Sequence, residues 1–329
     1  MKKIIISLLC LIIFGSIHAQ DYSVSLKTPA VYNHYHINPF IINPAHTGFE
    51  GNTKLIFNFR NHWAGFPDAP KALTFGLNAA PAANMGIGGL IYSENYGAAN
   101  RFIGKLNYAY QFGNENNKFA LGLGGSYIQY SLDNAVFTDP YHQSPDPIIN
   151  NSLNGRKFFS ADLGFWGEFS KKYKIGIALP HLIETSLDNK NSSTTTPKED
   201  KPIGFVALVG AIYEVPSYRI TLEPSIGLRK ISDVPFGTDL NIIARMLDDK
   251  LFGGFTYSFG PSWHRIMFLG GARVDRFRFY YSYDQSYLDF QNYNNGSHEL
   301  TLSFDLFKIS PKAKATMEEP AMDKEMMDK

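Results

Sequence analysis

Residues 276–286 read RFRFYYSYDQS and residues 297–307 read SHELTLSFDLF. Along both stretches, large apolar side chains alternate with charged or hydroxyl-bearing ones. The apolar faces hold Phe277, Phe279, Tyr281 and Tyr283 in the first stretch and Leu300, Leu302, Phe304 and Leu306 in the second. Because successive side chains of a β-strand point to opposite faces, this period of two predicts two strands, each with one apolar and one polar face.

The same pattern extends over most of the chain. Fourteen candidate strands follow from it: residues 52–61, 71–80, 84–93, 101–113, 117–130, 157–169, 173–180, 203–215, 217–230, 237–247, 250–260, 263–273, 276–286 and 297–307. The connections after odd-numbered strands have 9, 7, 26, 22, 6, 2 and 10 residues, whereas those after even-numbered strands have one to three. Short turns alternating with long loops, and strands of about ten residues, predict an all-β transmembrane antiparallel barrel of the outer-membrane type. Strands of a soluble sandwich would average about five or six residues.

Three segments flank the predicted barrel, which spans residues 52–307. Residues 1–19 have a basic front, a short apolar run and a small residue before Gln20, which predicts a cleaved signal peptide. Residues 20–51 contain Asn-Pro pairs that interrupt regular structure, and we expect them to plug the lumen or to pack under it on the periplasmic side. Residues 308–329 are predicted to form a solvated periplasmic tail.

The composition narrows the class of protein. After the leader, no apolar run is long enough for a membrane helix. The only cysteine, Cys10, lies in the predicted signal peptide, so the mature chain is expected to lack disulfides and cysteine-ligated metals. A formal net charge of +1 gives no reason to expect nucleic acid as a partner. Aromatic residues make up 15% of the chain, a content that suits the interfacial girdles of a barrel in outer-membrane lipid.

The bilayer explains why the strands should form a closed ring. Inside lipid every backbone N–H and C=O must be paired, so the first and last strands must meet. The charged faces would then line the interior: Lys54, Arg60, Lys105, Arg219, Glu223, Arg229, Arg276, Arg278, Glu299 and Asp305. Since their signs are mixed, they predict a filled or gated lumen rather than a strongly selective pore.

Several short motifs occur in a fixed order along the chain. They are NPAHTG at 43–48, RNHW at 60–63 with Pro67, GIGG at 86–89, EPSIGLR at 223–229, TDLN at 238–241, YSYD at 281–284 and YNNGSHE at 293–299. In order and spacing they resemble the PorP/SprF family of Bacteroidota outer-membrane proteins. The tail and the long loops at 131–156 and 181–202 depart from the usual pattern of that family and leave the cognate partner open.

The resemblance implies a place in the type IX secretion and gliding-motility apparatus of the bacterial cell outer membrane. It also implies two kinds of protein partner: the periplasmic ring proteins of the secretion system, and a large secreted adhesin or other cargo.

Three groups of residues look like parts of chemical sites. They are Ser297 with His298, His34 with His36 and His46, and Asp139 with His142 and Asp146. A serine nucleophile also needs an orienting group and an oxyanion donor, and a zinc site usually adds cysteine or carboxylate ligands. Asp139, His142 and Asp146 could together hold a hard cation, but we expect these residues to form a hydrated loop. We therefore predict no catalytic residue, no cofactor and no metal.

Glycine clusters and one tryptophan have structural explanations. The clusters at 86–89 and 122–125 lie within strands and lack the helix that a phosphate-binding loop requires, so they predict close packing or bending of the wall. Gly296 is predicted to supply a positive φ in the turn before the last strand. Arg60 and Trp63 are expected at the outer rim, with Trp63 in the interfacial belt.

The leading hypothesis is a non-enzymatic outer-membrane component of type IX secretion that binds periplasmic machinery and supports export or surface attachment of a cognate protein. The alternative is a transport channel for small or hydrophobic solutes, with residues 20–51 as its plug. A third possibility, an outer-membrane hydrolase, depends only on Ser297 and His298.

Overall fold

The structure, a computed structural model, describes residues 34–66, 68–133, 155–188, 203–231, 236–261, 263–287 and 294–308. Fifteen strands lie in this part of the chain: β1 (Asn52–Asn61), β2 (Lys71–Ala82), β3 (Met85–Tyr96), β4 (Ala99–Gly113), β5 (Asn117–Leu132), β6 (Arg156–Phe169), β7 (Tyr173–Ser186), β8 (Phe205–Ala211), β9 (Tyr213–Val215), β10 (Ile220–Lys230), β11 (Gly237–Met246), β12 (Leu251–Gly260), β13 (Trp263–Val274), β14 (Phe277–Ser286) and β15 (Ser297–Lys308). The predicted signal peptide, residues 20–33 and the tail after Lys308 lie outside the described residues.

The strands form one antiparallel sheet that closes on itself. β1 pairs with both β2 and β15, so the first and last strands meet. β8 and β9 both pair with β10 and together make one wall position, interrupted at Ile212. Because β10 also pairs with β11, the ring is complete, with fourteen wall positions. The predicted fold class is confirmed.

The wall is apolar outside and polar inside. In β15 the inward Glu299 and Thr301 are fully buried, whereas the outward Leu302 is 43% exposed. In β14 the outward Phe277 is 62% exposed and the inward Asp284 is 3% exposed. In a soluble protein, apolar side chains face inward and polar side chains face outward. The reversed distribution found here suits a wall that is surrounded by lipid.

No helix in the described part of the chain is long and apolar enough to cross a membrane.

The two ends of the barrel differ in their connections. At one end, called the turn end here, lie the turns 83–84, 114–116, 170–172, 216–219, 247–250 and 275–276, together with the start of β1 and the end of β15. At the other, the loop end, lie the connections 62–70, 97–98, 133–155, 187–204, 231–236, 261–262 and 287–296. The predicted seven-residue connection between β3 and β4 is wrong. These strands stay paired up to Tyr96 and Ala99, which leaves a turn of two residues.

Two strand boundaries also differ from the prediction. β7 continues to Ser186, beyond the predicted end at residue 180, because a bulge between Ala161 and Leu163 lets β6 remain paired with it. β10 starts only at Ile220, since a 3₁₀ turn and the left-handed backbone of Arg219, with φ of 52°, precede it.

Eight of the ten charged residues predicted to line the lumen do so. Their side chains are at most 16% exposed: Lys54, Arg60, Lys105, Glu223, Arg229, Arg278, Glu299 and Asp305. The prediction is wrong for Arg219 and Arg276, which belong to turn-end connections. Arg219 is 59% exposed and forms an ion pair with Asp248, while Arg276 donates to the carbonyl of Leu306.

Residues 34–51, called the lumen segment here, lie inside the barrel. They form three short 3₁₀ turns, His34–His36, Pro39–Ile41 and Pro44–His46. Proline opens the second and third turns, where its fixed φ suits the first helical position. The segment starts beside Ser282 and Glu299, near the loop end, and continues through Gly51 into β1 at the turn end. It therefore runs through the lumen. The division of the chain into separate units at residues 20–51 and 308–329 stays a prediction.

Wall glycines make room for this segment. A Cβ atom on Gly86 would overlap the carbonyl of Thr47, and one on Gly122 would overlap the backbone of Ala45. Both glycines belong to the clusters for which close packing was predicted, and both contact the lumen segment.

Replacing one of these glycines should displace the segment. We expect Gly122→Ala to destabilise the barrel by about 1–3 kcal/mol, because the added methyl group meets backbone rather than a movable side chain. The matched control is Gly125→Ala in the same strand, whose new Cβ would lie 3.8 Å from the Phe159 ring, an ordinary contact. Thermal unfolding of the purified proteins in detergent measures the difference. Equal midpoints for the two variants would contradict the close seating of the segment.

Candidate functional site

The lumen segment is held near the loop end by His34, which is fully buried. Its Nδ1 lies 2.7 Å from Thr301 Oγ1 and its Nε2 lies 2.8 Å from Ser282 Oγ. The backbone N–H of His34 donates to Glu299 Oε1 at 3.2 Å. One residue of the segment is thus bound to two adjacent strands, β14 and β15.

Arg60 joins the same two strands. Its guanidinium donates to Asp284 Oδ2 at 2.9 Å and to Glu299 Oε2 at 2.8 Å. Asn58 adds a hydrogen bond to Glu299 at 2.8 Å, and Arg265 lies 3.3 Å from Asp284. Two arginines and two carboxylates balance in charge, as a buried ionic cluster requires. Arg60 lies one residue before the end of β1 at the loop end, and its side chain points into the lumen as predicted, where it is 2% exposed.

Tyr35 binds the segment to a further strand of the wall, β11. Its hydroxyl donates to Asp239 Oδ2 at 2.8 Å, and Arg229 Nη2 lies 3.3 Å from the other oxygen of that carboxylate. A Cβ atom on Gly227 would overlap the hydroxyl of Tyr35. Together, His34 and Tyr35 hydrogen-bond the start of the segment to three strands of the wall, β11, β14 and β15.

Hydrogen bonds to the wall continue through the middle of the lumen. Asn43 caps its own turn by accepting from Ala45 N at 3.0 Å, and its Nδ2 donates to the carbonyl of Phe165 at 3.0 Å. Gln111 Nε2 donates to the carbonyl of Thr47 at 3.2 Å. The bonds to Ala45 N and to the Thr47 carbonyl pair backbone groups of the segment, and the bond to Phe165 joins the segment to β6.

An aromatic cluster packs the segment against β6 near the turn end. The His46 ring meets Trp166 edge-on, with 4.7 Å between centroids, and Phe49 lies 6.4 Å from the same indole. The Lys118 ammonium stands 4.4 Å above the centre of the Phe49 ring and also donates to the Phe49 carbonyl. Trp166 is therefore a natural reporter of the seating of the segment.

Below the segment, a cavity of about 370 Å³ separates it from the wall. We call this cavity the vestibule. Its charged or imidazole-bearing lining residues are His36, His46, Glu50, Lys54, Glu168, Lys174, Glu223, Arg245, Asp249, Arg273 and Arg278. Arg245 and Asp249 are 32% and 41% exposed, so the vestibule reaches solvent at the turn end.

The three histidines considered for zinc do not form a metal site. No metal-binding group of three or more histidine, cysteine or acidic side chains occurs among the described residues. His34 is occupied by hydroxyl partners, and His46 packs on Trp166. Residues 34–36 form a 3₁₀ turn, because residues 37 and 38 both donate back to the carbonyl of His34.

Ser297 and His298 do not face each other. Ser297 is 3% exposed on the inner face and accepts from Trp63 N at 3.1 Å, whereas His298 lies on the outer face beside the Tyr281 hydroxyl. Gly296, with φ of 77°, occupies the left-handed region as predicted. Asp139, His142 and Asp146 lie outside the described residues.

The buried ion pairs should matter far more than exposed ones. Replacing Arg60 by Met removes the guanidinium that joins Asp284 to Glu299 and leaves one buried negative charge in excess, so we expect a loss of about 3–5 kcal/mol. The control is Arg219→Met, which removes an exposed ion pair with Asp248 and should leave stability almost unchanged. Chemical unfolding in detergent measures both. A similar small effect of the two substitutions would show that the Arg60 cluster does not stabilise the barrel.

Acid should loosen the lumen segment. Burial lowers the pKa of His36 and of His46 from 6.5 to about 3, so both are docked in the neutral form. A depressed pKa gives stability that is complete above pH 6.5 and is lost as pH falls toward 3. We expect the emission of Trp166 to change in this range, and to change less in a His36→Gln/His46→Gln variant. His264→Gln, at an exposed position on the outer face, is the control. If the unmodified protein, the double variant and the control respond equally to acid, the response comes from titratable groups other than His36 and His46.

One family profile matches nearly the whole chain. The family described as "Type IX secretion system membrane protein PorP/SprF" matches residues 24–304. No curated protein matches the sequence.

Solved outer-membrane barrels resemble the structure at low sequence identity. The CymD monoaromatic hydrocarbon channel is 11% identical over 78% of this chain and 88% of its own, with a TM-score of 0.48. A FadL homologue of Pseudomonas aeruginosa is 10% identical over 80% of this chain and 93% of its own, with a TM-score of 0.46. Omp33 of Acinetobacter baumannii is 5% identical over 78% and 98%, with a TM-score of 0.45.

The profile match covers both the lumen segment and the wall that surrounds it, and the wall has the architecture of an outer-membrane barrel. This chain therefore belongs to the PorP/SprF family of type IX secretion system membrane proteins and is a protein of the bacterial outer membrane.

Proposed function

We propose that this protein is a non-enzymatic binding component of type IX secretion and gliding motility. Its turn end meets the periplasmic ring proteins, and its loop end meets a secreted adhesin or other cargo that it helps to export or attach. The family match over residues 24–304 is the observation that carries the proposal.

The filled lumen supports a binding role over conduction. The lumen segment spans the interior from the Arg60 cluster to Phe49 and is hydrogen-bonded to strands on several sides of the wall. A solute passing through would have to displace these bonds and separate buried charges, which costs several kcal/mol. The channel alternative therefore requires an additional opening step, whereas binding at the two ends requires none.

The opposite orientations of Ser297 and His298 support a non-enzymatic role. The two side chains point to the lumen and to the outer face, respectively, so the histidine is not placed as a base for the serine.

Affinity purification from the native outer membrane, followed by mass spectrometry, tests the proposal. We expect the tagged protein to recover periplasmic ring proteins and one large secreted protein. Charge reversal at the exposed turn, Lys171→Glu with Lys172→Glu, should reduce recovery of the ring proteins only. Replacement of loop residues 134–154 by a Gly-Ser linker should reduce recovery of the cargo only, so each variant is the control for the other. Recovery of the barrel alone, together with steady solute conductance in a planar bilayer, would overturn the proposal in favour of a channel.

A further inference from the structure

At the loop end, β7 extends beyond its neighbour β8. Pairing between these two strands reaches only to Ala178 and Val206, whereas β7 stays paired with β6 as far as Ser186. In the described part of the chain, Leu182 and Ser186 therefore have a strand neighbour on one side only. We call residues 182–186 the β7 edge.

A bulge fixes the β7 edge to β6. Residues 180–182 of β7 lie opposite the single residue Asp162 of β6. Asp162 accepts a hydrogen bond from the backbone N–H of His181 at 2.8 Å, and the His181 ring lies 2.8 Å from Ser160 Oγ. Asp162 is also paired with Lys105 at 2.5 Å. Because these contacts already order the strand, a partner that binds to it has less conformational entropy to remove.

The backbone groups of alternate residues in the β7 edge point away from β6. The N–H of Leu187 donates to the carbonyl of Lys157 at 2.9 Å, so these two residues form a hydrogen-bonded pair of the β6–β7 ladder. Such pairs alternate along an antiparallel ladder, so the backbone groups of Leu182 and Ser186 point to the opposite side. A row of backbone donors and acceptors at the edge of a sheet is a template for a further strand.

The β7 edge lies in water rather than in lipid. β7 starts at the turn end and has 14 residues, whereas about 9–11 tilted residues cross the hydrocarbon region. Residues 182–186 are its last ones, and all of them are exposed. Leu182 is 39% exposed and Ile183 is 58% exposed. Covering these apolar side chains would add to the free energy of binding a strand there.

Neither the connection after β7 nor a second copy of the chain suits this edge. Residues 189–202 read NKNSSTTTPKEDKP. Pro197 and Pro202 have no N–H to donate, and the four charged residues between them are of types that strands disfavour. A second copy inserted into the membrane in the same direction has its β7 running parallel to this one. It therefore cannot supply an antiparallel strand.

We propose that the β7 edge binds an extended segment of a secreted protein by antiparallel strand addition. The backbone of the segment pairs with Leu182 and Ser186, and its alternate apolar side chains lie on the outer face beside Ile183 and Leu187. Longer loops mark the extracellular end of such a barrel, so the segment comes from a protein at the cell surface. That this protein is secreted cargo rests on the proposed function, whereas the strand-binding edge does not.

Peptide binding to the purified full mature chain tests the site directly. The probe is a blocked fluorescent peptide of alternating valine and threonine, and the control peptide has proline in place of each threonine. Ser186→Pro removes a backbone donor from the open side of the edge, whereas Ser186→Ala changes only the side chain. We expect Ser186→Pro to weaken binding of the valine-threonine peptide about tenfold, since it removes a hydrogen bond and adds a ring at the contact. Ser186→Ala should leave binding unchanged, and the proline peptide should not bind.

Disulfide trapping provides a second measurement that keeps the backbone of the edge intact. In a Cys10→Ser background, either Ser186→Cys or Leu182→Cys introduces the only thiol. An antiparallel segment places its amino-terminal half beside Ser186 and its carboxy-terminal half beside Leu182. We therefore expect Ser186→Cys to cross-link a peptide with cysteine near its amino terminus, and Leu182→Cys to cross-link a peptide with cysteine near its carboxy terminus.

Three results would overturn the proposal. The first is equal peptide binding by the Ser186→Pro and Ser186→Ala proteins. The second is cross-linking that does not depend on the position of the cysteine in the peptide. The third is binding that occurs only after residues 189–202 are replaced by a Gly-Ser linker, since that segment is then the occupant.

The same variants separate this inference from the proposed function. If the peptide binds as expected but purification from the native outer membrane recovers no secreted protein, the strand-binding edge stands and the proposed role in secretion fails. If the Ser186→Pro protein recovers as much secreted protein as the Ser186→Ala protein, the role in secretion stands and the β7 edge is not the contact.

Discussion

The pairing of β1 with β15 is the constraint on which the rest of the structure depends. It closes the wall, so that backbone groups facing lipid are satisfied within the sheet. Its register also sets Arg60 directly opposite Glu299 and thereby creates the buried charge cluster that receives His34. The lumen segment immediately precedes β1 in the chain. The strand that closes the ring is therefore also directly connected to the segment inside it.

Inside the ring, polar groups of the lumen segment and of the wall form hydrogen bonds with each other. The wall presents carboxylates, hydroxyls and amides that need partners in a space shielded from water, and the segment supplies an imidazole, a phenol and backbone groups at matching positions. Glycines such as Gly122 remove side chains where the segment comes closest. Below Phe49 this matching ends, and a cavity of about 370 Å³ remains between the segment and the wall.

Most of the wall could be predicted from the sequence, because each strand shows its own period of two, as in residues 297–307. The errors fall where the pattern is broken by backbone geometry: Arg219 alternates correctly with its neighbours but sits in a left-handed turn, and β7 passes Pro180 through a bulge in its pairing with β6. The contacts of Tyr35 and His34 could not be predicted, since their partners are more than 200 residues away. The glycine clusters that contain Gly86 and Gly122 predicted close packing at the wall, but not which part of the chain approaches it there.

The seam between β1 and β15 also has a consequence for the order of assembly. Arg60 and Glu299 are 239 residues apart, so this contact forms only when nearly the whole chain is present, and joining such distant strands is intrinsically slow. The lumen segment precedes the first strand and touches walls on both sides of the ring. Closing the ring therefore joins its two distant ends around the segment, whose contacts with β14 and β15 lie on the closing side and whose contact with β6 lies across the lumen.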